Sequence, residues 1–145
     1  MQGQVTVKVG KKFRAAFPHE YRAVYGKKLL LSFGFERSLI ATSPENWKTL
    51  FDKEIQSKSF FHEATRDVRR FFLGGVTEIE FDDQGRFVIP EYLRTYAGIL
   101  EESEIVYIWQ DEYVEIWNKK SWDMRQKDIL RNIGAIAQAL SEDGA

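Results

Sequence analysis

The sequence predicts an α+β protein in which two pseudo-symmetric, β-rich repeats form a small barrel-like core with flanking helices. The first observation is that VGKKFRAAFPHEYR near the N-terminus is matched by FDDQGRFVIPEYLR in the middle of the chain. The second is that both stretches combine a turn, a short alternating run and a proline, which is typical of a strand leading into a helix. The matched pairs, 72 residues apart, are Pro18 with Pro90, Arg14 with Arg86, Arg22 with Arg94 and Ala15 with Phe87.

The first repeat is predicted over residues 1–72. Val5, Val7 and Val9 alternate with polar residues, as expected for a strand with one buried face. Ser43 followed by Pro44 has the residue types of a helix N-cap and first turn. The predicted elements are strands at 5–9 and 13–17, a helix at 19–25, hairpin strands at 29–33 and 38–42, and helices at 44–56 and 62–73.

The second repeat is predicted over residues 73–145 and follows the same order. Trp122 heads a helix as Trp47 does in the first repeat, so both tryptophans are predicted to pack in the core rather than to form a sugar-binding platform. The predicted elements are a strand at 77–81, a turn at 82–85, a strand at 87–89, a helix from 90 to 98, hairpin strands at 104–109 and 113–117, and a helix at 121–140.

The composition excludes several classes of function. With 43% hydrophobic and 30% charged residues, and no apolar run near the roughly 20 residues that span a bilayer, we expect a cytoplasmic protein without a membrane partner. The chain has no cysteine, so disulfides, thiolate metal sites and a thiol nucleophile are excluded. His19 and His62 are far apart and are interpreted as helix-start residues. We therefore expect no cofactor, no metal, no small-molecule substrate and no enzymatic activity.

The charges are divided unevenly along the chain. Residues 1–72 carry 14 Lys and Arg against 7 Asp and Glu, whereas residues 73–145 carry 7 against 15. A basic half indicates a polyanionic partner such as nucleic acid. An alternative is that the opposite charges hold neighbouring halves or subunits together.

The segment DDQGRFVIPEYLRTYAGI, followed by EYVEIW and a helix headed by Trp122, resembles the MraZ family of bacterial transcriptional regulators over essentially the whole chain. The resemblance implies two AbrB-like swapped-hairpin units, each marked by a turn with Asp, three residues and then Arg. Asp82, Gly85 and Arg86 fit that pattern. The first copy departs from it at Gly10 and Phe13, which predicts a less rigid contact at Arg14. A positive φ angle is also disfavoured for Phe13.

What the resemblance implies about function is specific binding of double-stranded DNA at promoter direct repeats. The regulator is expected to repress the division and cell-wall gene cluster, to associate with the nucleoid and to assemble as a ring of identical subunits. The candidate DNA-binding residues are Lys11, Lys12, Arg14 and Arg86, with Asp82 and Gly85 as structural residues of the motif. Lysines at a loop tip can neutralise phosphates, and an arginine fork can bind guanine in the major groove.

Several alternatives remain open on the sequence. Arg86 can form an ion pair with Asp82 that only closes the turn. Arg66, Arg69 and Arg70 are interpreted as a solvated helix face or a subunit contact. The degenerate first loop also fits a ring-forming protein-interaction module or an AbrB-type antitoxin that has lost specific DNA binding. The last helix carries Ile129, Ile133, Ile136 and Leu140 at helical spacing and is expected to pack on a neighbour or on its own core.

Overall fold

A computed structural model of the 145-residue chain describes residues 1–143 and confirms the α+β class. The strands are β1 Gln4–Lys8, β2 Arg14–Ala16, β3 Leu29–Phe33, β4 Leu39–Thr42, β5 Thr77–Ile79, β6 Arg86–Val88, β7 Glu104–Trp109 and β8 Val114–Asn118. The helices are α1 His19–Tyr25, α2 Pro44–Phe51, α3 Glu63–Gly75, α4 Glu91–Ala97 and α5 Lys119–Glu142. Lys11–Phe13 form a tight turn between β1 and β2 whose backbone is not helical at Lys12, and a π-helical turn, Asp52–Gln56, continues α2.

Capping residues explain where the helices begin and end. The Ser43 hydroxyl accepts a hydrogen bond from the Asn46 amide at 3.0 Å, as expected for the N-cap of α2. Gly98 ends α4 in the left-handed conformation. The predicted start of α5 at Ser121 is wrong by two residues, because the Asn118 side chain accepts from the amides of Lys120 and Ser121 and starts the helix at Lys119.

Six strands form one antiparallel sheet in the order β1-β7-β8-β4-β3-β5. The predicted hairpins, β3 with β4 and β7 with β8, are confirmed. The expected barrel does not close within residues 1–143, because the edge strands β1 and β5 form no ladder with each other. The strands that follow them, β2 and β6, leave the sheet and pair with one another instead.

The ribbon of β2 and β6 is antiparallel, with Ala15 opposite Phe87. Arg14 is opposite Val88, and Ala16 is opposite Arg86. Because side chains alternate across a strand, one face of the ribbon carries Ala15 and Phe87, which are both buried. The other face carries the two arginines and points away from the core.

The main core lies between one face of the sheet and the layer formed by the ribbon, α1 and α4. Burial of large apolar side chains is the main stabilising term for such a layer. The fully buried residues of this core include Tyr21, Leu29, Leu31, Leu39, Phe87, Ile89, Leu93, Ile105, Tyr107 and Ile116.

The opposite face of the sheet carries two smaller apolar clusters. In the first, Trp47 packs against Phe72, and in the second Trp122 packs against Trp117, so both tryptophans lie in apolar clusters as predicted. Helix α5 contacts this face only as far as Ile129. Beyond it, the side chains of Ile133, Ile136 and Leu140 are exposed. Every helix within residues 1–143 is too short or too polar to span a lipid bilayer.

A buried hydroxyl joins the sheet to the ribbon. The Tyr107 side chain is fully buried and donates a hydrogen bond of 2.6 Å to the carbonyl oxygen of Ala16 in β2. Because the burial is complete, the pKa of this phenol is raised far above its usual value of 10.0, and it stays a donor.

We predict that Tyr107→Phe lowers the free energy of unfolding by about 1–3 kcal/mol, because the Ala16 carbonyl loses a buried partner. Urea denaturation measures the change. The matched control is Tyr92→Phe, whose hydroxyl donates to the Gly75 carbonyl at 2.8 Å from a side chain that is 44% exposed. Water can replace that bond, so the control should cost much less, and an equal loss in both variants would contradict the role given to Tyr107.

Candidate nucleic-acid interface

The candidate site is the free face of the β2–β6 ribbon. Arg14 and Arg86 are diagonal neighbours on it, with backbone positions roughly 7–8 Å apart in standard geometry. Between them are only the small or apolar side chains of Ala16 and Val88, and Val88 is 47% exposed. The ribbon therefore brings two guanidinium groups from distant parts of the chain onto one surface.

The turn before β6 is organised by Asp82. One oxygen of its carboxylate accepts the amides of Gln84 and Arg86, each at 2.9 Å, and the other accepts Arg86 Nε at 3.0 Å. The backbone amide of Arg86 is the main cause of a lowered pKa of the Asp82 carboxyl, with the amide of Gln84 and the Arg86 side chain adding to it. Gly85 follows with a φ angle of +75°, which glycine adopts without strain.

The ion pair of Arg86 with Asp82 uses only part of the guanidinium. Arg86 Nε is bound, whereas its two terminal nitrogens make no hydrogen bond within residues 1–143. The pair is partly exposed and by itself contributes little to stability. Its effect is to fix the direction of a guanidinium whose two-nitrogen end stays available.

The first loop reaches a related shape without the carboxylate. The amide of Gly10 donates to the Arg14 carbonyl at 2.8 Å, just as the amide of Asp82 donates to the Arg86 carbonyl at 2.8 Å. The expectation that Phe13 avoids a positive φ angle is wrong, because Phe13 has φ +58° and Lys12 has φ +60°.

Two tertiary contacts of Phe13 account for its strained backbone. Its carbonyl accepts the amide of Ile89 at 2.9 Å. Its ring lies beneath the guanidinium of Arg94, with Cζ 3.7 Å from the ring centroid. A conformation that is unfavourable in isolation is held by contacts with the second half of the chain.

The basic side chains of the first loop are exposed. Lys11, Lys12 and Arg14 form no ion pair within the range 1–143, and Arg14 has no counterpart of Asp82 because Gly10 stands in that place. The loop is not the tip of a hairpin, as strand-turn-strand reasoning suggests, since β1 pairs with β7 and β2 with β6. The basic residues instead lie beside the ribbon.

Two further arginines contact these loops and were given no role in the sequence interpretation. Arg22 lies beside Gly85, where an added Cβ would clash with its Nη1, and its Cζ is 4.8 Å from the centre of the Phe81 ring. Arg94 stacks on Phe13 and donates to the Ile89 carbonyl at 3.1 Å. The sequence feature that indicates a shared role is that Arg22 and Arg94 occupy matched positions in the two repeated stretches.

The other candidate residues have local contacts. Arg70 pairs with Asp67 at 2.9 Å, and Arg66 donates to two carbonyls in the preceding loop. Arg69 lies over the ring of Phe51 at 5.4 Å. His19 is the first residue of α1, and His62 stands at the N-cap position of α3 without a side-chain capping bond, so both lie at helix starts as predicted. Among the described residues, no group of three or more His, Cys, Asp or Glu side chains is placed to hold a metal ion.

The fold and this site define a class of α+β proteins in which two short strands from distant parts of the chain form a ribbon with basic side chains on its free face. A family model described as "MraZ protein, putative antitoxin-like" matches residues 72–139. Relatives named "Transcriptional regulator MraZ" match almost the entire chain. The chain belongs to the MraZ family.

Three of these relatives show the extent of the match. The protein of Acetivibrio thermocellus is 33% identical over 139 residues, covering 96% of this chain and 95% of the relative. The protein of Caldanaerobacter subterraneus subsp. tengcongensis is 32% identical over 140 residues, covering 97% and 96%. The protein of Thermomicrobium roseum is 32% identical over 139 residues, covering 96% of both chains.

We predict that the Asp82 carboxyl titrates below its usual pKa of 3.8, measured by carboxyl-carbon NMR. The pKa is lowered in the folded state, so the stabilising contribution of Asp82 is present above about pH 4 and is lost as the pH falls through the lowered value. Arg86→Gln should retain most of the shift, because its main cause is the backbone amide at position 86. A midpoint at or above 3.8 in the unmodified protein would contradict this account of the turn.

Proposed function

We propose that this protein is a transcriptional regulator that binds specific double-stranded DNA through the free face of the β2–β6 ribbon and its two loops. One observation carries the proposal: Arg14 and Arg86 share an exposed face on which neither guanidinium is fully paired. The names of the relatives, "Transcriptional regulator MraZ", support the same role.

The chemistry of the face suits DNA. A two-stranded ribbon can enter the major groove, where the terminal nitrogens of Arg86 can bind O6 and N7 of guanine. The methyl groups of Val88 and Ala16 can contact thymine methyl groups beside it. Lys11 and Lys12, as compact charges on flexible stems, suit phosphate contacts that add affinity without reading sequence.

We also propose that the chain is a tandem duplication, with repeats over residues 1–72 and 73–145 that together form the pseudo-symmetric unit. The sheet order supports this, because exchanging β1 with β5, β3 with β7 and β4 with β8 gives the same order read from the other end. Matched hydrogen bonds support it too, since the Phe17 amide donates to Gly85 as the Ile89 amide donates to Phe13. The proposed boundary lies within α3, which links the repeats.

Self-association into a ring is part of the same proposal. The outer half of α5 exposes apolar side chains that nothing in residues 1–143 covers, and the two halves of the chain carry opposite net charge. A head-to-tail contact between basic and acidic halves closes into a ring when the rotation permits. Repeated ribbons would then read promoter direct repeats spaced by roughly 10 bp, one helical turn.

The proposal also includes a biological setting. We infer repression of the division and cell-wall gene cluster, by a cytoplasmic protein acting at the nucleoid. A second function is favoured by one observation, the missing carboxylate at Gly10: a ring-forming protein-interaction module or an AbrB-type antitoxin would need no oriented Arg14. The family description, which includes the word antitoxin, is consistent with it.

We predict that Lys12→Ala combined with Arg14→Ala abolishes binding to the DNA upstream of the protein's own gene, without loss of folding. Fluorescence anisotropy at two or more salt concentrations measures it. Any binding that remains measurable at low salt should have a salt slope smaller by roughly 2, since each phosphate contact contributes about 0.9. The matched control is Lys27→Ala with Lys28→Ala, which removes two exposed charges between α1 and β3.

Arg86→Ala should act differently on the same DNA. We expect a loss of affinity of about tenfold, within the range for a bidentate base contact, and a reduced preference over a shuffled duplex. Unchanged affinity in both sets of variants would refute the ribbon as the DNA-binding face. Failure of the unmodified protein to bind either duplex would favour the protein-interaction alternative.

A further inference from the structure

We propose that Arg22 and Arg94 are positioning residues, each of which holds the DNA-binding loop supplied by the other half of the chain. The inference rests on the proposed function, because it assigns a role to the loops that carry Lys12, Arg14 and Arg86. Neither arginine forms an ion pair within residues 1–143. Both lie over aromatic rings next to a loop backbone with positive φ angles.

Arg22, in α1, supports the turn of the second half. Its guanidinium lies over Phe81, the residue just before Asp82, and against the backbone of Gly85. Phe81 in turn packs on Phe17 and Phe87 at ring-centroid distances of 5.9 and 6.0 Å. The contact therefore connects helix α1, the core side of the ribbon and the turn that orients Arg86. Glycine at position 85 leaves the space that the guanidinium occupies.

Arg94, in α4, supports the loop of the first half. Its guanidinium stacks on Phe13, which stands where the second half has Gly85, and it also donates to the Ile89 carbonyl. The amide of Ile89 donates to the Phe13 carbonyl, so Arg94 and Ile89 hold Phe13 from two sides. A guanidinium over an aromatic ring is stabilising, and more so when water is excluded.

The contact between Arg94 and Phe13 compensates for the absence of the motif's Asp and Gly from the first loop. With Gly10 in place of a carboxylate, nothing within the loop orders it as Asp82 orders the other turn. The ring of Phe13 gives Arg94 a surface that glycine lacks. Arg22 and Arg94 therefore hold the two loops by different contacts. Arg22 packs on the glycine backbone of one loop, and Arg94 packs on the phenylalanine ring of the other.

Amide hydrogen exchange on the free protein tests this inference without DNA. Lysine keeps the charge but loses the planar group that stacks on the ring, so Arg94→Lys should raise exchange at Gly10 about fivefold, the upper range for one exposed contact of this kind. Arg22→Lys should do the same at Gly85 and Arg86. Each substitution should act on the loop of the opposite half, a crossed pattern that general destabilisation would not produce.

The control is Arg37→Lys on the turn between β3 and β4. Arg37 lies over the Tyr96 ring at 4.9 Å, close to the distance for Arg22 and Phe81. This variant should leave exchange in both loops unchanged.

Phe13→Leu is the second variant. Combined with Arg94→Lys, it should loosen the first loop no more than either change alone, because the two residues act as one contact.

DNA anisotropy gives the second readout. Under the proposal, Arg94→Lys lowers affinity about fivefold at an unchanged salt slope, because the charge is kept and only the loop is loosened. If Arg94 bound phosphate directly, lysine would retain the affinity and Arg94→Gln would lower the slope by about 0.9. Equal exchange increases across the whole chain, or none in the opposite loop, would overturn the positioning role. If the unmodified protein binds no DNA, the proposed function fails, but the exchange pattern still tests whether Arg22 and Arg94 position the two loops.

Discussion

The arrangement of the candidate site depends on the antiparallel pairing of β2 with β6. Each strand contributes only three residues, and an isolated two-stranded ribbon of that length is marginal in water. This ribbon persists because its inner residues, Ala15 and Phe87, are buried in the main core and because Tyr107 holds the Ala16 carbonyl from the sheet. Because side chains alternate across a strand, burial of Phe87 places its neighbour Arg86 on the exposed face of the ribbon.

The pairing also explains why residues far apart in the chain act on one surface. One residue after each ribbon strand, a proline leads into a short helix, so α1 and α4 begin beside the ribbon. A side chain from either helix can therefore reach the loop of the other half, as Arg22 and Arg94 do. Loops supported in this way by helices and a packed core keep their geometry better than loops attached only at their ends.

Local signals predicted the elements well, and long-range contacts account for the errors. Ser43, Pro44 and Gly98 act within a turn of their own positions, so the helix ends at these residues could be read from the sequence. Strand pairing depends on partners about a hundred residues away, as for β1 with β7, and an alternating pattern does not identify the partner. The barrel-like core expected from the repeats is therefore an open sheet in the structure. The positive φ angle of Phe13 was missed for the same reason, because Arg94 and Ile89 hold it from the other half.

The two loops differ in a way that matters for any anionic partner. Arg86 has its Nε fixed by a carboxylate whose lowered pKa keeps it ionised well below neutral pH, so its terminal nitrogens point in a set direction. Arg14 has no such partner and is joined by two exposed lysines. A fixed fork loses little entropy on binding and can discriminate between bases, whereas mobile charges attract phosphate at any sequence. Under the proposed function, the second half of the chain therefore supplies selectivity on this ribbon face and the first half supplies attraction to phosphate. This division agrees with the basic charge of residues 1–72, because affinity from phosphate contacts grows with charge and needs no fixed geometry.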